Sequence, residues 1–191
     1  MTTEYTYKQQ AILDATLELI GKLGFHGTSM SAIAKRASVG AGTIYRYYAS
    51  KEDLINALYY REKSAVNAFI LSGYAPEMPV REGLRMLWRN ALRARQEFPG
   101  RFRFLEQYYN SPFIDSDSRR VREQLMAEYV EIVERGVASG ALRDLPRPIL
   151  LSMLFGPLSS LATAGRLDDV DLTDDLVDQA FDTVWRSIAR P

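Results

Sequence analysis

Hydroxyls, a guanidinium and small residues crowd into the segment from Thr28 to Lys51, in an order that suits contact with a polyanion. Ala41, Gly42 and Thr43 come first, followed by Tyr45, Arg46 and Tyr47. Small residues let a helix tip approach a groove closely, and the polar groups behind them can meet base edges or phosphates. Arg46 has two readings: a bidentate donor to guanine O6 and N7, or a solvated or phosphate-facing cation. Other chemistry is poorly served. The chain has no Cys, which excludes disulfides, thiolate metal sites and Cys nucleophiles. Its single histidine, His26, rules out a His-based metal cluster and has no companion nucleophile. It reads as a polar surface residue, with a phosphate contact as the alternative. No glycine loop of the phosphate-cradling kind occurs. No metal, cofactor or catalytic set is expected, so the chain reads as a binding protein and not an enzyme.

The elements that must position these side chains are helices, because apolar residues recur at helical spacing almost end to end and no alternating strand is found. Ile12, Ala15, Leu19 and Leu23 line one face of a first helix over 8–23, ended by Gly24. Thr28 or Ser29 caps a short helix to 37, and a second short helix covers 41–47. Two short helices joined by about three residues allow the second to lie in the major groove of DNA. Ile33, Ala34, Ala37, Val39, Ile44 and Tyr48 can lock this pair to the first helix, leaving Ala41, Gly42, Thr43, Tyr45, Arg46 and Tyr47 outward. Ser50 and Asp53 read as a capping box opening a helix over 50–71. Further helices are expected at 80–97, 100–110, 115–139, 146–165 and 172–189, about nine in all. The fold class is all-α, with a three-helix helix-turn-helix domain over 1–50 and a helical bundle over 51–191.

At these residues the chain resembles the TetR family of transcriptional regulators. The resemblance runs through Gly24-Phe25, Thr28-Ser29-Met30, Ile33-Ala34, Ala37 and Val39. It continues through Gly42-Thr43-Ile44-Tyr45, Tyr48 and Ser50-Lys51-Glu52-Asp53-Leu54, about a quarter of the chain. It implies a homodimer whose two recognition helices enter successive major grooves of a pseudo-palindromic operator, most often as a repressor. It also implies a C-terminal pocket whose small-molecule effector weakens DNA binding, with the helix over 51–71 linking the two halves. By the same resemblance, Thr28 and Ser29 fall at phosphate contacts, and Ala41, Gly42 and Thr43 at the base-facing start of the recognition helix. Tyr45 and Tyr47 fall where side chains reach phosphate or the thymine methyl, and Lys51 on a phosphate-contacting helix start. The chain departs from the common pattern at Ser38 (usually Gly, in a left-handed turn), Gly40 (usually Ser) and Ala41 (often Lys or Arg). A helical interaction module, or an activator on the same fold, is the alternative reading.

The remaining sequence carries the other expectations. Residues 1–51 hold six basic side chains against three acidic ones, and the rest 18 against 21, so the zero net charge hides a mildly basic N-terminal part. Aromatics gather in the middle. Trp88, Phe102, Phe104, Tyr108, Tyr109, Phe113, Tyr129 and Phe155 are candidates for lining an effector pocket, with core packing as the alternative for each. The run Ile149 to Leu158 is apolar nearly all round and needs covering on every side, which points with the last helix to a homodimer interface. The acidic run Asp168–Asp175 reads as capping a helix N-terminus. With no signal-like N-terminus and no apolar stretch near membrane-span length, a cytoplasmic location without membrane contact is expected.

Overall fold

The computed structural model describes residues 5–167 and 170–191, which form eleven helices and no strand. These are α1 (Tyr7–Gly27), α2 (Met30–Arg36), α3 (Ala41–Tyr47), α4 (Lys51–Ile70), α5 (Val80–Glu97) and α6 (Pro99–Tyr109). Then follow α7 (Ser116–Leu125), α8 (Ala127–Ala138), α9 (Arg147–Phe155), α10 (Pro157–Leu167) and α11 (Asp174–Ile188). They pack as two compact units. The first joins residues up to Ala65 with Pro99–Arg122, and the second joins Val66–Phe98 with Glu123–Pro191. The sequence draws its boundary after residue 50, at the start of α4. Packing carries the first unit further along α4 and adds the distant α6, which lies against α1.

In the first unit α1 opens on a capping box: Thr6 accepts from the Gln9 amide while the Gln9 side chain returns to the Thr6 N–H. Ile12, Leu13 and Ile20 from α1 and Leu54, Ile55 and Leu58 from α4 are fully buried. Gly24, at φ 69°, breaks the helical path without ending the element, and the chain makes one more turn to Gly27. That turn drops Phe25 against Phe104 of α6 and against Phe113, with ring centroids 6.1 and 5.2 Å apart. Tyr108 stacks on Tyr59 at 4.1 Å and donates to Asn56 Oδ1 at 2.8 Å. Asn56 in turn donates to Asp115, which caps α7 through the Ser118 N–H. Buried Glu62 lies between Arg61, 2.6 Å away, and Arg101, 3.2 Å away. Arg61 also reaches Asp14 on α1. Removing one partner from a buried charge set of this kind costs roughly 3–5 kcal/mol.

The second unit is built around α5, whose Leu84, Leu87, Trp88, Ala91 and Leu92 are all buried. Trp88 has no accessible surface, lies 5.8 Å from Phe181 and donates its indole N–H to the Leu154 carbonyl at 2.9 Å. That carbonyl belongs to the last turn of α9, where intrahelical partners run out. Gly83 permits the close crossing of α8, because a Cβ there would sit 2.7 Å from Ile132 Cδ1. On the outside, Arg81 pairs with Asp182, Arg85 with Asp178, and Arg89 with both Asp178 and Asp174. Both rows are spaced by four residues on antiparallel helices, so the pairs form a ladder.

Two helices expected as single elements are interrupted. The 115–139 helix divides at Met126, and the 146–165 helix at Gly156–Pro157. Proline has no N–H and its ring crowds the carbonyl four residues back, so the apolar run could not continue undisturbed through Pro157. By length and composition alone the stretch Arg147–Leu167 could pass for a membrane span, but it is divided at Gly156–Pro157 into α9 and α10. The cap of α11 is Thr173, with Asp174 and Asp175 in the first turn; Asp168 and Asp169 of the expected acidic run lie outside the described residues.

Candidate nucleic-acid interface

The helix-turn-helix forms because its apolar residues fall on one side of two short helices. Ile33, Ala34, Ile44 and Tyr48 are buried, while Ala37 and Val39 are half-buried. Burial pushes the Tyr48 phenol up to about 12, so the group stays neutral. Ser29 caps α2 by accepting from the Ala32 N–H at 3.1 Å. The turn bends at Ser38, at φ 54°, a left-handed conformation. Val39 N–H then bonds back to the Ala34 carbonyl at 3.0 Å. Gly40 caps α3 without a side-chain bond.

This leaves a defined outward face on α3. Ala41, Gly42, Tyr45 and Arg46 are exposed, and Thr43 and Tyr47 are half-buried beside them. Tyr45 is 54% exposed. Among the described residues Arg46 has no ion-pair partner, so its charge is available outside the protein. Ser29 is also exposed and bonds Ser31 at 3.0 Å. Lys51, the first residue of α4, donates its ammonium to the Phe25 carbonyl. It therefore fastens the end of α1 to the start of α4, with two of its three protons left to donate.

Thr28 does not stand where a phosphate contact requires. It is fully buried and its hydroxyl donates to the Gly24 carbonyl at 2.8 Å. The kink at Gly24 frees that carbonyl, and Thr28 satisfies it. Two features were not read from the motif. Arg36 at the end of α2 pairs with Glu18 of α1, which also holds Lys22 at 2.8 Å. The Arg36 and Lys22 hydrogen bonds hold the Glu18 carboxyl down at about 2. The Glu18–Lys22 spacing was a visible signal; the Arg36 contact, between helices, was not. Lys35 is the second addition, exposed on α2 and without an ion-pair partner among the described residues.

The aromatic candidates for an effector pocket separate by unit. Phe102, Phe104, Tyr108, Tyr109 and Phe113 belong to the first, and Trp88, Tyr129 and Phe155 to the second. Trp88 and Phe104 are core residues with no accessible surface, and Tyr108 is spent on Tyr59, Asn56 and the Phe113 carbonyl. Tyr109 is exposed at an edge of Tyr59. Tyr129 is buried edge-to-face with half-buried Phe155, their centroids 5.6 Å apart. Burial raises the Tyr129 phenol above its ordinary value. Phe113 lines a cavity of about 400 Å³. A concavity of about 620 Å³ in the second unit is lined by residues of α5, Arg85, Arg89 and Arg93 among them, and by none of these aromatics.

A buried helix pair carrying an exposed, uncompensated third-helix face defines a helix-turn-helix DNA-binding protein. Comparison with known proteins narrows the class. The family described as bacterial regulatory proteins, tetR family, matches residues 12–58, and the tetracyclin repressor-like C-terminal domain matches residues 61–190. The chain belongs to the TetR family and is a DNA-binding transcriptional regulator, not an enzyme. A TetR family transcription regulator from Marinobacter aquaeolei VT8 superposes with a TM-score of 0.89 at 30% identity, over 96% of each chain. An uncharacterized HTH-type transcriptional regulator of Haemophilus influenzae is 26% identical over 181 residues, 95% of each chain. The fatty acid metabolism regulator protein of Bacillus subtilis is 26% identical over 175 residues, 85% of each.

Proposed function

We propose that the protein is a homodimeric repressor that binds a pseudo-palindromic operator and is released by a small-molecule effector. The observation that carries the reading is the exposed face of α3, where Tyr45 and Arg46, without an ion-pair partner among the described residues, stand beside Thr43 and Tyr47. In this reading Ala41 and Gly42 admit the helix tip to the major groove, and Thr43, Tyr45, Arg46 and Tyr47 do the reading. Ser29 and Lys51 meet phosphates from flanking helices. Residues 1–50 supply the DNA-binding domain and 51–191 the effector and dimer functions. DNA binding puts the protein in the cytoplasm with the chromosome.

Dimerisation is supported by the apolar surface of the second unit. Ile149 is 48% exposed, Leu167 76% and Leu176 37%. A second copy covers α9, α10 and α11 with the same face, an isologous arrangement; successive major grooves require the two recognition helices to stand about 34 Å apart. Tyr129 and Phe155 on the effector side supply apolar surface with one hydroxyl handle.

Genomic fragments selected by the purified protein, followed by electrophoretic shifts over a salt series, test this reading. Binding should fall steeply with salt, as phosphate neutralisation requires. Tyr45→Ala and Thr43→Ala should abolish the shift while leaving the sedimentation coefficient of the dimer unchanged. Unchanged affinity in both variants means that another face binds DNA.

A further inference from the structure

The first unit contains an open concavity of about 400 Å³ at the foot of α1, between its last turn and the chain that leaves α6. Small-molecule sites commonly fall in this size range, with apolar walls and a few convergent polar groups. Phe25 and Phe113 form the apolar wall, their rings tilted by 56°. His26, Glu106, Gln107 and Asn110 supply the polar edge. No protein partner takes the side chains of His26, Glu106 or Gln107 among the described residues. Asn110 uses its amide on the Glu106 backbone carbonyl at 2.9 Å, which leaves its own side-chain oxygen to accept. No Lys or Arg lines the cavity, so the Glu106 carboxylate is its uncompensated charge.

We infer that this cavity is a ligand site in its own right, separate from any effector pocket in the second unit, and that it takes a planar aromatic cation. The aromatic ring lies against Phe25 and Phe113, and the cationic, donor-bearing end meets Glu106 with the Asn110 oxygen beside it. A neutral or anionic ring forgoes the charge-assisted bond. The position also gives the ligand a lever. The carbonyl of Phe25 holds the Lys51 ammonium, and the Gly24 carbonyl holds Thr28 at the entrance to α2. A ring wedged against Phe25 bears directly on the joint that orients the helix-turn-helix.

Benzamidine is a suitable probe, with its neutral isostere benzamide as the control. His26 is the chain's single histidine, so its imidazole protons give one unambiguous set of NMR signals in the full-length protein. Millimolar benzamidine should shift them saturably. Benzamide, and benzamidine on Glu106→Gln, should bind at least about tenfold more weakly, the loss expected for one charged hydrogen bond. Glu106 is exposed, so this variant keeps the fold. No movement of the His26 signals, or equal binding of the two probes, overturns the site. A second arm adds saturating benzamidine to the complex with a selected DNA fragment. It rests on the DNA-binding reading, whereas the NMR arm does not, so the two failures are distinguishable. Weaker binding in wild type but not in Glu106→Gln supports the lever, and unchanged binding in wild type overturns it.

Discussion

Replacing Ser38 with glycine should stabilise the protein without altering its contacts. Ser38 turns the chain between α2 and α3 at φ 54°, is exposed, and makes no side-chain hydrogen bond among the described residues. An L-residue held left-handed costs roughly 1–2 kcal/mol, because its Cβ crowds the neighbouring carbonyl oxygen. Glycine removes that cost but enlarges the unfolded ensemble, which returns about 0.4–1 kcal/mol. The net gain is about 0.5–1 kcal/mol, or roughly 1–4 °C in Tm for a chain of this size. Urea unfolding should show a higher midpoint with an unchanged slope, since no additional surface is buried. Ser38→Val should move the midpoint the other way, because a β-branched side chain is least tolerant of positive φ. Stability ordered glycine above serine above valine is the expected result. A destabilised glycine variant, or glycine and valine variants of equal stability, would refute the claim that backbone strain at this turn sets the difference.

Glu18 should contribute an acid-sensitive increment to stability. Its folded-state carboxyl titrates at about 2, below the ordinary 4.5, so the contribution is present above 4.5 and is lost as pH falls toward 2. The Tm difference between wild type and Glu18→Gln should shrink over that interval; a difference independent of pH there contradicts the Arg36 and Lys22 bonds as its source. Trp88→Ala should cost roughly 3–5 kcal/mol by emptying a core position, and Trp88→Phe less, though it leaves the Leu154 carbonyl unpaired. Chemical denaturation resolves both. Ile149→Asp should convert the proposed dimer to monomer in analytical ultracentrifugation with helical content retained, whereas a variant that still sediments as a dimer places the interface elsewhere.

The helix-turn-helix was legible because its determinants are local. Ile33, Ala34, Ile44 and Tyr48 fall within sixteen residues of one another, and the left-handed turn at position 38 was implied by the resemblance to the family, where glycine is usual, although serine fills it. Capping was equally local: Ser29 accepts from the Ala32 N–H at 3.1 Å and Ser50 from the Asp53 N–H at 3.0 Å, the Ser50 half of the expected box. What escaped depends on distant partners or on competition. Thr28 carried the right residue type for a phosphate contact, but the carbonyl that takes its hydroxyl is exposed only by the kink at Gly24. Trp88 and Phe104 look the same in sequence whether they line a cavity or fill a core, and long-range packing decides. The position of α6 against α1 joins residues some eighty apart, which helical periodicity does not encode. Pro157 was visible, yet the apolar run around it dominated the reading.

The arginine–aspartate ladder between α5 and α11 behaves like the teeth of a rack. Each row repeats every four residues, so sliding α11 by one turn would still mesh Arg81 with Asp178 and Arg85 with Asp174, leaving one end tooth of each row, Arg89 and Asp182, unmatched. The ladder therefore holds the two helices side by side but is nearly blind to their axial offset. Aperiodic contacts act as the detents: Trp88 wedged against Phe181, and the Arg143 N–H bonded at 2.9 Å to the Ile188 carbonyl at the end of α11. Exchanging a single arginine on this face therefore disturbs the register of α11 less than altering the aromatic at 88 or 181 does.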